Sequence, residues 1–226
     1  MSALMQNPVP HIIRNNTFWV SPERCLFWEE TNTLIIADMH LGKTGHFRKE
    51  GIAVPQSIYK ADLQRLIAQL YLFKVDRLII AGDLTHSTAN KELDLFIKWR
   101  KDFSLLQIEL IKGNHDILED DWYTEADITV SNWKLAVPPF IFLHDLKSEK
   151  KLTEEEKKLY RFTGHLHPGI AIRGLAKQTL HFPCFYFTKE YCVLPAFSRF
   201  TGTYKVHPEK NETAFAIVND SIIKIP

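Results

Sequence analysis

The chain has 226 residues, 45% of them hydrophobic and 24% charged, with a formal net charge of +1. That length suits one sizeable core and is short for two, so a single domain over residues 1–226 is expected, with the composition of a soluble globular protein. A charge so near zero excludes a global basic field that would draw in nucleic acid, while leaving room for a local basic patch.

The N-terminus lacks the basic-then-apolar order of a secretory signal, and no run of about 18 apolar residues exists to span a bilayer. The three cysteines, Cys25, Cys184 and Cys192, are odd in number and lack Cys-x-x-Cys spacing. That argues against a disulfide framework or a thiolate zinc site and for buried free thiols in a reducing compartment. A cytoplasmic protein without membrane partners is the expectation.

In chain order, residues 17–20 and 24–28 are short aromatic-rich runs around Ser21-Pro22-Glu23, a strand–turn–strand pattern. Residues 33–37 read as a buried strand ending at Asp38. Over 56–73 the apolar residues Ile58, Leu63, Leu66, Ile67, Leu70 and Phe73 follow a helical period. Residues 77–81 form the next buried strand, 90–102 a helix with Leu93, Phe96 and Ile97 on one face, and 105–111 a third strand. Alternation of strands and helices implies right-handed crossovers and parallel strands. Such sheets bind ligands beyond the carboxyl ends of their strands.

The second half changes character. Residues 128–130, 134–137, 140–143, 170–173, 180–187, 214–218 and 221–225 read as strands of a second, more antiparallel sheet packed on the first. Residues 147–158, rich in Lys and Glu, read as a solvated loop or short helix, because the glutamates offset the lysines.

Ligand-type residues recur where the apolar runs end: Asp38-Met39-His40, Gly82-Asp83, Gly113-Asn114-His115-Asp116, Leu143-His144-Asp145 and Gly164-His165-Leu166-His167. Two Asp, one Asn and four His delivered this way can bind two metal ions. Two divalent ions about 3.5–4 Å apart supply a nucleophile at neutral pH and neutralise charge developing on a phosphoryl group. Asp83 is the natural bridge, with Gly82 letting the backbone turn. Asp38, His40 and His167 complete one ion, and Asn114, His144 and His165 the other. His165 and His167, two apart on an extended segment, point the same way. His115 is left over; Asp116 is expected to hydrogen-bond it and raise its pKa, making it a proton donor to the leaving group.

Lys43 and Arg48 follow the first ligands on a loop made pliable by Gly42 and Gly45, and are candidate phosphate contacts; a surface ion pair is the alternative for Arg48. His46 and His86 line either the cleft or a surface loop. The aromatics Phe182, Phe185, Tyr186, Phe187 and Tyr191 suggest strand packing first, and stacking on single-stranded DNA second.

The ordered set Asp-x-His, Gly-Asp, Gly-Asn-His-Asp and Gly-His-x-His, from Asp38 to His167, resembles the calcineurin-like metallophosphoesterase superfamily. One departure is Leu143, where the family often has Gly before the ligand His. The resemblance implies an α/β fold in which a two-sheet β-sandwich is flanked by helices, and a Mn, Fe or Zn pair, Mn being the expected metal. Asp38-Met39-His40-Leu41-Gly42-Lys43, His46-Phe47-Arg48, Val54-Pro55, Gly82-Asp83-Leu84-Thr85-His86-Ser87, Gly164-His165-Leu166-His167-Pro168 and Leu194-Pro195-Ala196-Phe197 are similar to one bacterial subfamily, the ligase-associated DNA damage-response metallophosphoesterases. That narrower resemblance implies phosphodiesterase or nuclease work on DNA beside an ATP-dependent DNA ligase and a helicase. A phosphomonoesterase or small-nucleotide phosphodiesterase is the alternative. A silent protein-binding scaffold ranks last, because every ligand and His115 are present.

Overall fold

A computed structural model describes residues 7–43, 45, 47, 51, 57–86, 91–173 and 178–225. Two mixed β-sheets pack face to face, with helices flanking them. The first sheet runs in chain order across its width: β1 (Val9–Ile13), β2 (Asn16–Ser21), β3 (Cys25–Trp28), β4 (Thr33–Ile36), β5 (Arg77–Ile80), β6 (Gln107–Ile111) and β7 (Thr129–Ser131). β1 to β4 are antiparallel, joined by short turns. β4 to β7 are parallel, connected through α1 (Ser57–Phe73), α2 (Lys91–Asp102) and α3 (Asp120–Glu125).

The second sheet contains β8 (Lys134–Val137), β9 (Phe140–Leu143), β10 (Tyr160–Thr163), β11 (Pro168–Arg173), β12 (Thr179–Phe187), β13 (Tyr191–Val193), β14 (Tyr204–Lys205), β15 (Thr213–Val218) and β16 (Ser221–Ile225). Its order is β14-β11-β12-β13-β10-β9-β8, with β15 and β16 continuing from the second half of β12. No described helix is long and apolar enough to cross a membrane.

Strands β4 and β5 are apolar on both sides because both faces are covered. The side chains alternate: Leu34, Ile36, Leu78 and Ile80 meet Leu66, Leu70, Leu93 and Phe96 of the helices. Ile35 and Ile79 face the other way, into a core shared with Phe140, Phe142, Phe162, Phe185 and Phe215. Phe18 stands edge-on to Phe140 at 5.1 Å between centroids, and Phe142 stacks on Phe162 at 5.3 Å. Phe185 and Phe187 are buried in this inter-sheet core. They are packing residues and present no ring face to a base. All three cysteines are buried free thiols; burial pushes Cys25 and Cys184 up to about 12.

Three differences from the sequence reading have physical causes. Residues 129–131 belong to the first sheet, parallel to β6, because the short crossover through α3 returns the chain to the same sheet. The second sheet is less antiparallel than expected, since β9, β10 and β13 run parallel. β10 itself was invisible: it follows a Lys-rich run and carries Arg161, which is buried yet ion-paired with Glu190 at 2.5 Å. Over 147–158 the chain forms two short 3-10 helices, Leu146–Lys151 and Glu156–Lys158.

The parallel strands set up the site. β4, β5 and β6 in one sheet, and β9 and β10 in the other, end at a common edge. The segments beyond them are stitched together by Asp38 N–H to Gly82 O (3.0 Å), His40 N–H to Asp83 O (2.9 Å) and Gly164 N–H to His144 O (3.1 Å).

Candidate metal centre

At that edge the ligand atoms of Asp38, His40 and His167 lie within 4.8 Å of one another, and so do those of Asp83, His144 and His165. Asp38 follows β4, Asp83 follows β5, His144 follows β9 and His165 follows β10. Asn114, just past β6, brings its Oδ1 to 3.1 Å from His144 Nε2. Asp38 is fully buried, Asp83 and His144 nearly so.

The backbone at these positions is unusual. Asp38, His40, Asp83, His165 and His167 all have φ between 50° and 66°, a left-handed conformation that costs non-glycine residues energy and clusters at functional sites. This corrects the expected geometry of the last motif. Gly164–His167 is not extended, yet both of its histidines turn to the strand-end clusters. Left-handed residues on either side of Leu166 send His165 to Asp83 and His144, and His167 to Asp38 and His40.

Hydrogen bonds hold the carboxylates. The Asp38 carboxylate accepts from His165 N–H at 3.0 and 3.2 Å, which locks the first sheet to the second. Asp83 Oδ1 accepts from His115 N–H at 2.9 Å. Glycines make this approach possible. A Cβ on Gly113 would fall 2.2 Å from Asp83 Oδ1, and one on Gly164 2.6 Å from Asp38 Oδ2.

The distribution of protons fits a bound cation. His144 Nδ1 lies 3.2 Å from the Ala81 carbonyl oxygen, which can only accept, so Nδ1 carries the proton. The lone pair is then on Nε2, facing Asn114 Oδ1 at 3.1 Å, His165 Nδ1 at 3.1 Å and Asp83 Oδ2 at 3.5 Å. The close approach of these donor atoms suits a bound cation, and a carbonyl behind the far nitrogen is the usual support of a ligating imidazole. At the other cluster His40 Nε2 lies 3.5 Å from His167 Nε2, and His167 Nε2 3.5 Å from Asp38 Oδ1. Burial, then the ammonium of Lys43, holds His40 down at about 2, so its ring stays neutral and offers a lone pair.

His115 is beside these clusters. Its ring stacks on His86 at 4.4 Å and stands edge-on to His40 at 5.5 Å. The expected bond from Asp116 to the His115 ring is absent. The Asp116 carboxylate instead accepts from Thr85 N–H (2.8 Å), Thr85 Oγ1 (3.1 Å) and Gly113 N–H (2.9 Å). Its side chain turns back under the loop, tying the segment after β6 to the one after β5. Burial pushes its carboxyl above the usual range, against those hydrogen bonds. His86 is a neighbour of the site rather than a surface residue, its Nδ1 3.3 Å from His40 Nδ1. Lys43 is half-buried; burial lowers its pKa against the pull of Asp38 and Asp83. Arg48, His46 and Val54-Pro55 lie outside the described residues.

One supporting structure was missed. Segment 196–201 crosses behind Asp38, with Phe197 N–H donating to Ala37 O (2.7 Å) and Ser198 N–H to Asp38 O (3.3 Å). Arg65 on α1 donates to Phe197 O (2.5 Å) and to Asp62 (2.8 Å), with Glu23 3.6 Å from its Nε. The only sequence signal was the Leu194-Pro195-Ala196-Phe197 motif; an Arg on a helix face gives no sign of being buried.

The calcineurin-like phosphoesterase family model matches residues 31–187, well over half of the chain. Comparison with curated proteins returns no match. Among solved structures, the nuclease MPE of Pseudomonas putida is similar, at 28% identity and a TM-score of 0.78, over 93% of this chain and 97% of that one. Paired Asp/His clusters at the strand ends of a two-sheet sandwich fit a metal-dependent hydrolase of phosphate esters, and with the match across both sheets they make this chain a member of the calcineurin-like phosphoesterase family.

Proposed function

We propose that this protein is a dinuclear metal-dependent phosphodiesterase acting on DNA. In this reading Asp38, His40 and His167 would hold one ion and Asn114, His144 and His165 the other, with Asp83 the carboxylate they would share. Manganese is the proposed metal; iron and zinc suit the same imidazole and carboxylate donors. Bound there, the ions supply a nucleophile at neutral pH and charge neutralisation at the phosphoryl group.

The chain's own residues do the remaining work. Lys43 offers an ammonium to a non-bridging oxygen, as does Arg48 on sequence grounds. His115 gives its proton to the leaving-group oxygen. His86, stacked on that ring, limits its rotation, and Asp116 fixes the turn that carries it. The observation carrying this reading is the convergence of two Asp/His clusters with His115 beside them. The similarity to a bacterial nuclease favours nucleic acid over a small ester. A place in DNA repair beside an ATP-dependent ligase and a helicase is supported by the motif resemblance alone.

The test is hydrolysis of bis-p-nitrophenyl phosphate against p-nitrophenyl phosphate by manganese-loaded protein, followed by a panel of DNA substrates. Diester hydrolysis and DNA cleavage, both abolished by a chelator, are expected. Turnover of the monoester alone would overturn the proposal.

A further inference from the structure

Glu92, in the first turn of α2, is a carboxylate the proposed reaction does not use. An acid at a helix start ordinarily stays in solvent and gains from the helix dipole, as exposed Asp94 does on the same turn. Glu92 is instead only 6% exposed, and its Oε2 accepts from Gly42 N–H at 2.9 Å. Burying a carboxylate is costly unless hydrogen bonds compensate it, so a contact of this kind fixes both partners.

The contact lies on the loop that leaves β4. Leu41 is bridged in parallel to Thr85, with Leu41 N–H donating to Leu84 O (2.8 Å) and His86 N–H to Leu41 O (2.9 Å). Gly42 follows that bridge and turns the chain with φ of 88°; its N–H is taken up by Glu92. Leu41, one residue before Gly42, and Leu93, one after Glu92, belong to the same buried core. Apolar packing and a buried hydrogen bond thus anchor the loop to α2. The next residue is Lys43, whose N–H closes the turn on His40 O at 3.2 Å. Its half-buried ammonium is near enough to Asp38 and Asp83 to feel their charge, and to His40 to act on it. A lysine charge rides on a flexible four-carbon stem, so its placement depends on the backbone beneath it.

We propose that Glu92 is a positioning residue for substrate binding: by gripping Gly42 it holds Lys43 beside the strand-end clusters, where the ammonium meets a non-bridging oxygen of the phosphodiester. The inference rests on the phosphodiesterase reading above and brings into substrate binding a residue on the helix side of the first sheet. Glu92 itself touches no substrate; its whole effect passes through the loop.

The experiment is a double-mutant cycle of Glu92→Ala and Lys43→Ala on the manganese-loaded full chain, with bis-p-nitrophenyl phosphate as substrate and rates expressed per bound manganese. Lys43→Ala should lower kcat/KM by about 10- to 150-fold, the range for a lost hydrogen bond to a charged group. Glu92→Ala should show a loss of the same kind, chiefly as a raised KM, which does not depend on how many molecules are folded. In the Lys43→Ala background, removing Glu92 should change kcat/KM by no more than about 2-fold, whereas a merely structural role would lower both backgrounds alike. Glu92→Gln keeps an acceptor for the Gly42 N–H and should recover most of the wild-type value. Manganese content should match wild type throughout. Inorganic phosphate, titrated calorimetrically, should bind Glu92→Ala more weakly than wild type, a readout independent of turnover. If the two losses multiply, or if Glu92→Ala sheds manganese, Glu92 does not act through Lys43; the inference is then wrong and the phosphodiesterase reading stands. If the wild type hydrolyses no phosphodiester, both fall.

Discussion

At Gly82 a methyl group has no room. The residue has φ of 87°, and a Cβ there would lie 2.0 Å from His144 Nδ1. Gly82→Ala is expected to push His144 out of the second cluster, halving the metal bound per chain and lowering turnover by about 100-fold or more, a scale typical of misplaced catalytic groups; metal analysis and a steady-state assay read both. His115→Ala should behave differently: metal content is retained and kcat falls by about 10²- to 10⁴-fold, the usual contribution of a general acid. Loss of metal in that variant would make His115 a ligand. Far from the site, His11 packs its ring 4.4 Å from Phe187. Burial, then Lys224, holds its pKa down at about 4, while the unfolded imidazole titrates near ~6.5. Between those values the unfolded chain takes up the proton first, so this residue makes stability fall as pH falls from 6.5 towards 4. Urea unfolding of His11→Phe across that range should show a flatter acid limb, by about 1–3 kcal/mol.

Among the elements, α1 and the segment after β13 together brace the end of β4. Arg65 reaches Phe197 O, Asp62 and Glu23 while its guanidinium lies 4.2 Å above the Phe197 ring. Through Phe197 and Ser198 this brace ends on Ala37 and Asp38. Arg65→Met leaves buried Asp62 without its ion-pair partner, while Glu23 keeps Arg199 at 3.2 Å; breaking a buried pair costs about 3–5 kcal/mol, measurable by urea unfolding. Arg65→Lys should recover only part, because one ammonium cannot reproduce the forked guanidinium contacts. Local pattern explains which elements were legible. The 3.6-residue period marked α1, and continuous apolar runs marked β4, β5 and β9. Strand β10 was hidden by Arg161, whose partners Glu149 and Glu190 are distant in the chain. Burial of that charge depends on them, and no local window contains them.

For the whole molecule, the candidate ligands come from both sheets, three of the seven from β9 and beyond. A cation bound only by the folded chain stabilises it by RT ln(1 + [L]/Kd), about 4 kcal/mol at a thousandfold excess over Kd. Stripping metal with a chelator should lower the melting temperature, and manganese should restore it; Asp83→Asn should show neither response. The identity of the candidate ligands, their order and the parallel strands of the first sheet were all legible in the chain itself, because residue type and hydrophobic period are local properties. Tertiary structure alone decided that His165 and His167 reach their clusters through left-handed turns and not as strand neighbours, that Asp116 holds a loop instead of the His115 ring, and that Trp133 borders the site. Those outcomes depend on left-handed backbone torsions and on contacts between segments that meet only when the two sheets close on each other.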